Sequence, residues 1–210
     1  MARHQYSSKS GHLDAVTLTA LTDIKHILCH TPPRSLSCLG ETRPLLLFTD
    51  GAAEGEDRGQ VTCGAVLIDT ASDFSEMFGG RIPAKLVKAW KADGQKLQVI
   101  GQAELLPIAL SRRQWRDRFR HRRLIVFVDN DSARQSLCRG WSPSASSRAI
   151  IRDMLEAEIT DQVWIWYARV PTHSNPADDP SRLILVPSED NDYANIIPMP
   201  VIPDSLFPEK

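Results

Sequence analysis

"LLLFTDGAA", residues 45–53, decides how this chain is read. Leu45, Leu46, Leu47 and Phe48 form the unbroken apolar run of a strand buried on both faces. Thr49, Asp50 and Gly51 come at once after it, so a carboxylate stands where a core strand would simply stop. A second stretch repeats the pattern. "LIVFVDND", residues 124–131, runs apolar and then reaches Asp129, Asn130 and Asp131. In open α/β sheets, sites form beyond the carboxyl ends of parallel strands. If these two strands are parallel neighbours, about 4.8 Å apart, Asp50 and Asp129 lie side by side. Their charges then repel each other unless a cation lies between them.

The surrounding pattern supplies a sheet for these strands. Apolar spacing predicts an amphipathic helix over 15–29, after a polar, loose stretch to about residue 14. Pro32, Pro33 and Pro44 prevent that helix from continuing toward residue 45. Residues 45–49, 61–68 and 73–82 read as an antiparallel meander, its first hairpin made by the Gly-rich, acidic "GAAEGEDRGQ". Residues 83–100 are ambiguous. Helical spacing covers 102–119, with Pro107 limiting the first turn, and a short helix fits 132–137. Cap-type serines and Pro143 open a helix over 142–160, and 163–170 is a strand. Residues 175–183 read as a turn opening a short helix, with Asn175 or Asp178 as cap. Beyond Pro187 the chain reads as a Pro-rich tail. Three meander strands and then αβ units imply a mixed α/β sheet with helices on its faces.

Composition narrows the partners. A net charge of -1 excludes a global basic field, so nucleic-acid contact must come from local patches. The apolar runs fall far short of the roughly 18 residues of a membrane helix, and the N-terminus has no apolar signal core. These features predict an intracellular chain, in nucleus or cytoplasm, with no membrane partner. Cys29, Cys38, Cys63 and Cys138 are scattered as reduced thiols are. His26, Cys29, His30 and Cys38 fit no strong zinc spacing.

Two further acids join the first pair: Glu104, near the start of an otherwise apolar helix face, and Asp178, in the short last helix. Each has a plain alternative, as a turn residue, a dipole partner or a cap. Clustered carboxylates without a Cys or His pair favour hard cations, Mg²⁺ or Mn²⁺. Two such ions make the usual clamp for in-line phosphodiester displacement.

"FTDGA", "GAVL", "GQAELLPIAL", "VFVDNDSA" and "NPADDPSR" resemble the ribonuclease H family in order and spacing. The ending is most similar to the RNase H domains of retroelement (retrotransposon) reverse transcriptases, and the resemblance covers about residues 43–186. It implies a five-stranded mixed sheet in the order 3-2-1-4-5, strands 1–3 antiparallel, with helices on both faces. It implies a two-metal endonuclease that hydrolyses the RNA strand of an RNA–DNA hybrid, read by shape and 2′-hydroxyls. Asp50 would bridge both metals, Glu104 and Asp129 would hold one, and Asp178 the other. Asp179 competes with Asp178 for the fourth position. His173, only five residues before Asp178, would assist the chemistry, and Asn130 and Gly51 would touch substrate. Residues 1–42 resemble a remnant of the connection to a reverse transcriptase polymerase domain, and 187–210 form the tail.

Some alternatives stay open. The acids alone also suit a resolvase or 3′–5′ exonuclease on the same fold, and the fold also suits a non-catalytic binding module. The seven arginines of "SRRQWRDRFRHRR", 111–123, either complement a helix terminus or contact nucleic acid away from the cut. Trp90, Trp141, Trp164 and Trp166 read as core or groove packing.

Overall fold

The computed structural model describes residues 13–30, 33, 43–54, 60–93, 99–185 and 195–207. The polar stretch to residue 12, nearly all of 31–42 with Cys38, the hairpin tip 55–59 and the start of the tail, 186–194, lie outside the described residues.

Two compact units are distinguished, residues 1–34 and 35–210. The first holds α1, Ala15–His30. Asp14 caps it by accepting from the Thr17 N–H at 2.7 Å, and Leu18, Leu21, Ile24 and Leu28 of its apolar stripe are exposed.

The second unit carries β1 (Leu45–Glu54), β2 (Gln60–Asp69), β3 (Ser75–Arg81), α2 (Ala84–Asp93), α3 (Ile100–Gln114), α4 (Arg116–Phe119), β4 (Arg123–Val128), α5 (Asp131–Arg139), α6 (Ala145–Thr160), β5 (Trp164–Arg169), α7 (Asp178–Ser181) and β6 (Asn195–Ile196). The strands lie in the order β5-β4-β1-β2-β3-β6. β1 pairs antiparallel with β2, and β2 with β3; β1 pairs parallel with β4, and β4 with β5. Five strands thus take the expected order 3-2-1-4-5.

The sixth strand corrects the expected count. β6 pairs parallel with β3, and the Ile197 N–H continues the ladder to Met77. Residues 195–207, read from sequence as tail, therefore pack on the domain. Met199 covers Gly80, and Leu206 is 1% exposed in the main core. Their apolar side chains are spaced by prolines, so neither helical nor strand periodicity announces them.

The sheet's faces are unequal. Gly51 shows which helix lies on one of them, because an added Cβ would fall 2.4 Å from the Ala103 carbonyl carbon of α3. Asp50 pairs with Gly64, whose added Cβ would fall 2.4 Å from the Ser181 nitrogen of α7. Neighbouring residues of a strand point to opposite faces, so α3 and α7 grip the end of β1 from opposite sides. On the α3 side, Leu45, Leu47, Val126 and Val128 join Leu106, Ile108, Ile150 and Met154 in the core. Across the sheet, Val66, Met77 and Ala177 form a smaller cluster with Phe48, Ile68 and Leu185.

Helix 102–119 is two pieces, because Trp115 leaves helical geometry to bury its ring by Phe78 and donate to Glu76 at 2.7 Å. The ambiguous stretch contains α2, whose Trp90 is buried. Trp141 and Trp166 are exposed rather than packed. Most of the arginine run is engaged within the fold. Arg112, Arg116 and Arg120 surround Asp161, Arg113 pairs with Asp153, Arg122 with Asp69, and Arg118 covers the Phe74 ring. Among the described residues, no helix is long and apolar enough to cross a membrane.

Candidate metal centre

Asp50 and Asp129 reach one place by register. Thr49 pairs with Val128 in the parallel β1–β4 ladder, so the next residue of each strand is the acid. Two residues back on the same face, Phe48 and Phe127 stack at 4.6 Å and 9°, a flat apolar floor beneath the carboxylates. α3 brings Glu104 in beside them. A carboxylate oxygen from each of Asp50, Glu104 and Asp129 lies within 4.8 Å of the other two.

Glu104 owes its depth to two residues far apart in sequence. Pro107 has no N–H to give the Ala103 carbonyl four residues earlier, and its ring crowds that carbonyl. At Gly51 an added Cβ would lie only 2.5 Å from that carbonyl oxygen and 2.7 Å from the Glu104 nitrogen. A side chain on residue 51 would push α3, and Glu104 with it, off the sheet.

The electrostatics are those of acids short of a counter-charge. Burial, and after it the charges of Asp50 and Asp129, pushes Glu104 up to about 9. The Gly51 backbone and the Asn130 side chain oppose this rise. The Glu104 Oε2 nevertheless has no hydrogen-bond partner, although it is buried. Burial also pushes Asp50 up to about 6; the Ser181 hydroxyl opposes this, while Asp129 and Asp178 add to it. Cys63, opposite Gly51 on β2, is pushed to about 12 by burial and is an inert thiol.

These residues fit a hard divalent cation. The donors are all carboxylate oxygens, gathered within 4.8 Å of one another with no Cys or His among them, which is the donor set hard cations prefer.

The other candidates stand around this trio. Asp178 lies outside the 4.8 Å group; its Oδ1 accepts from Arg182 at 3.0 and 3.1 Å. It is still near enough for its charge to raise Asp50. The Asp179 main-chain carbonyl accepts from Ile184 and Arg182. His173 is exposed in the turn Thr172–Ser174, outside the cluster. Asn130 caps α5 by accepting from the Ala133 N–H at 3.0 Å. Two residues escaped the sequence reading as parts of the site: Ser181, which donates to Asp50, and Asn175, which donates to the Thr49 carbonyl at 3.1 Å. Both stand within "NPADDPSR", but nothing in that string says that they reach β1.

No protein-family profile matches the sequence, and no curated protein matches it. Among solved structures, the chain is similar to ribonuclease H1 of the halophilic archaeon Halobacterium salinarum NRC-1, at 17% identity over 68% of this chain and 98% of that one, with a TM-score of 0.46. It is similar to LC11-RNase H1, solved with an RNA/DNA hybrid, at 12% identity over 66% of this chain and 94% of that one, with a TM-score of 0.47. It is also similar to the protease-reverse transcriptase of prototype foamy virus, at 11% identity over 74% of this chain and 22% of that one, with a TM-score of 0.44. β1 runs on past Asp50 to Glu54 rather than stopping at Thr49, and by its strand order and the acids within β1 and directly after β4 the chain has a ribonuclease H-like fold.

Proposed function

We propose that this chain is a divalent-metal-dependent nuclease that hydrolyses the RNA strand of RNA–DNA hybrids, an RNase H domain of retroelement origin. The observation that carries the reading is the convergence of Asp50, Glu104 and Asp129, with a buried Glu104 oxygen left without a hydrogen-bond partner. That arrangement destabilises the metal-free protein, which is the mark of a binding site rather than of a structural network.

In this reading Asp50, Glu104 and Asp129 would hold one ion, and Asp178, now engaged with Arg182, would help to hold a second. Such ions would supply charge stabilisation at the scissile phosphate and a water of lowered pKa. Glu104 gives up its proton on binding, and Asn130 keeps its carboxylate aimed. His173 is placed to move protons only if its turn swings inward on substrate. Asp179 is the alternative fourth acid. Residues 1–42 are then a remnant of the connection to a polymerase domain.

The test is cleavage of a labelled RNA–DNA hybrid, beside RNA and DNA duplexes, with Mg²⁺ or Mn²⁺. Wild type should cut the hybrid's RNA strand, while Asp50→Asn and Asp129→Asn should fall by at least ~10³-fold. Hybrid left intact by wild type, or cut equally by both variants, rules out the nuclease. Preference for a DNA duplex would point to a resolvase or exonuclease instead.

A further inference from the structure

α7 is a single turn of four residues, and one turn has no stability of its own. It is nonetheless seated from three directions. Asn175, 6% exposed, precedes it; its Nδ2 donates to the Thr49 carbonyl at 3.1 Å, and its Oδ1 accepts from the Ala177 N–H at 3.2 Å. Gly64 and Gly79 lie beneath it, where an added Cβ would come within 2.4 Å of the Ser181 nitrogen and 2.1 Å of the Pro180 oxygen respectively. Ser181 closes the turn with no exposure at all. Its hydroxyl faces two acceptors, Asp50 Oδ2 and the Asp178 carbonyl at 2.8 Å, and has one proton for both.

The seating brackets Asp178 and ties it to the acid at the working end of β1. A carboxylate turns about its side-chain bonds unless something holds one oxygen. Here Ser181 holds Oδ2 and so fixes the turn of the carboxylate that stands with Glu104 and Asp129.

We propose that Ser181 is a positioning residue whose hydroxyl fixes the Asp50 carboxylate and, through the Asp178 carbonyl, keeps the turn bearing Asp178 in register with it. Ser181 touches no ion itself and acts through the two acids. The proposal rests on the metal-centre reading above. Partners that orient a ligating carboxylate are typically worth roughly 10–100-fold in metal affinity.

The experiment titrates the full chain, first stripped with chelator, with Mn²⁺, following free ion by electron paramagnetic resonance at low temperature. Wild type is compared with Ser181→Ala and Ser181→Cys. The cysteine fills the buried site with a slightly larger atom that is a weak donor, so it decides the question if the alanine variant does not fold. The expected result is a Kd for Mn²⁺ raised roughly 10–100-fold in the folded variants, with an unchanged far-ultraviolet spectrum. Wild-type affinity in Ser181→Cys overturns the positioning role and leaves the metal centre standing. Absence of Mn²⁺ binding by wild type removes the metal centre itself, and the proposal with it.

Discussion

Replacing Asp50 with Asn should make the metal-free protein more stable, although it removes the central acid. Burial, with the Asp129 and Asp178 charges, raises Asp50 from 3.8 to about 6. A carboxyl whose folded pKa lies above its unfolded one holds its proton more tightly when folded. Stability is therefore lost as pH rises from about 4 through about 6, and the full cost is present above that. At about 1.36 kcal/mol for each pKa step of one, the rise corresponds to about 3 kcal/mol. Asn carries no charge and so avoids this cost. It gives up one charged hydrogen bond to Ser181, a bond of the kind worth about 1.5–3 kcal/mol. The lost bond is partly recovered, because Ser181 can donate to the Asp178 carbonyl and accept from the new amide. A net gain of about 1 kcal/mol raises Tm by roughly 2–4 °C in a domain of this size. The assay is thermal melting in chelator at pH 4.5 and pH 8, with and without millimolar Mn²⁺. Asp50→Asn should melt higher than wild type at pH 8, show little difference at pH 4.5, and lose the Mn²⁺-dependent rise of wild type. A variant that melts lower at pH 8, or an advantage that is equal at both pH values, would mean that the buried Asp50 charge is not what costs the fold its stability.

Three other substitutions have defined outcomes. Gly51→Ala places a Cβ 2.4 Å from the Ala103 backbone, so it should cost about 3 kcal/mol in a urea titration and weaken Mn²⁺ binding by displacing Glu104. Leu206→Ala removes a side chain 1% exposed and should cost about 2–5 kcal/mol, a result that a free tail could not give. Arg122 holds Asp69 below the usual carboxylate range, mainly by a side-chain hydrogen bond. That contribution is present above the unfolded Asp pKa and is lost as pH falls through the folded one. Arg122→Gln should therefore lower Tm at pH 7 and flatten the acid limb of the Tm–pH curve; an unchanged limb would count against the pair.

The strands that lead to acids were legible because each is a continuous apolar run closed by a carboxylate, and only parallel pairing puts Asp50 and Asp129 together. Glu104 was legible as the one charge on an apolar helix face, and the structure makes that face the sheet-facing one. What the sequence concealed depends on contacts between distant segments. β6 is two residues long and pairs at an edge, so no local pattern marks it. Ser181 looks like any short polar residue in a turn until Gly64 brings α7 down onto β1. The arginine run suggested a binding surface, because Asp161, its main counter-charge, lies well outside the run. The exposed Trp166 looks like a core residue in sequence, since alternation along β5 does not say that it is the outermost strand.

Gly51 packs on the Ala103 carbonyl, the one that Pro107 leaves without its helical partner, and so the two distant positions form a single heritable unit. Pro107→Ala alone restores a helical hydrogen bond and draws the Ala103 carbonyl back toward its own axis. Gly51→Ala alone collides with that carbonyl where it now stands. Made together, the two changes relieve each other, and the double variant should be more stable than the sum of the singles allows. A lineage could then cross from Gly–Pro to Ala–Ala by changing Pro107 first, the order that gains a helical hydrogen bond before the new Cβ arrives. The proline in α3 is in this sense an epistatic lock on the depth at which Glu104 sits.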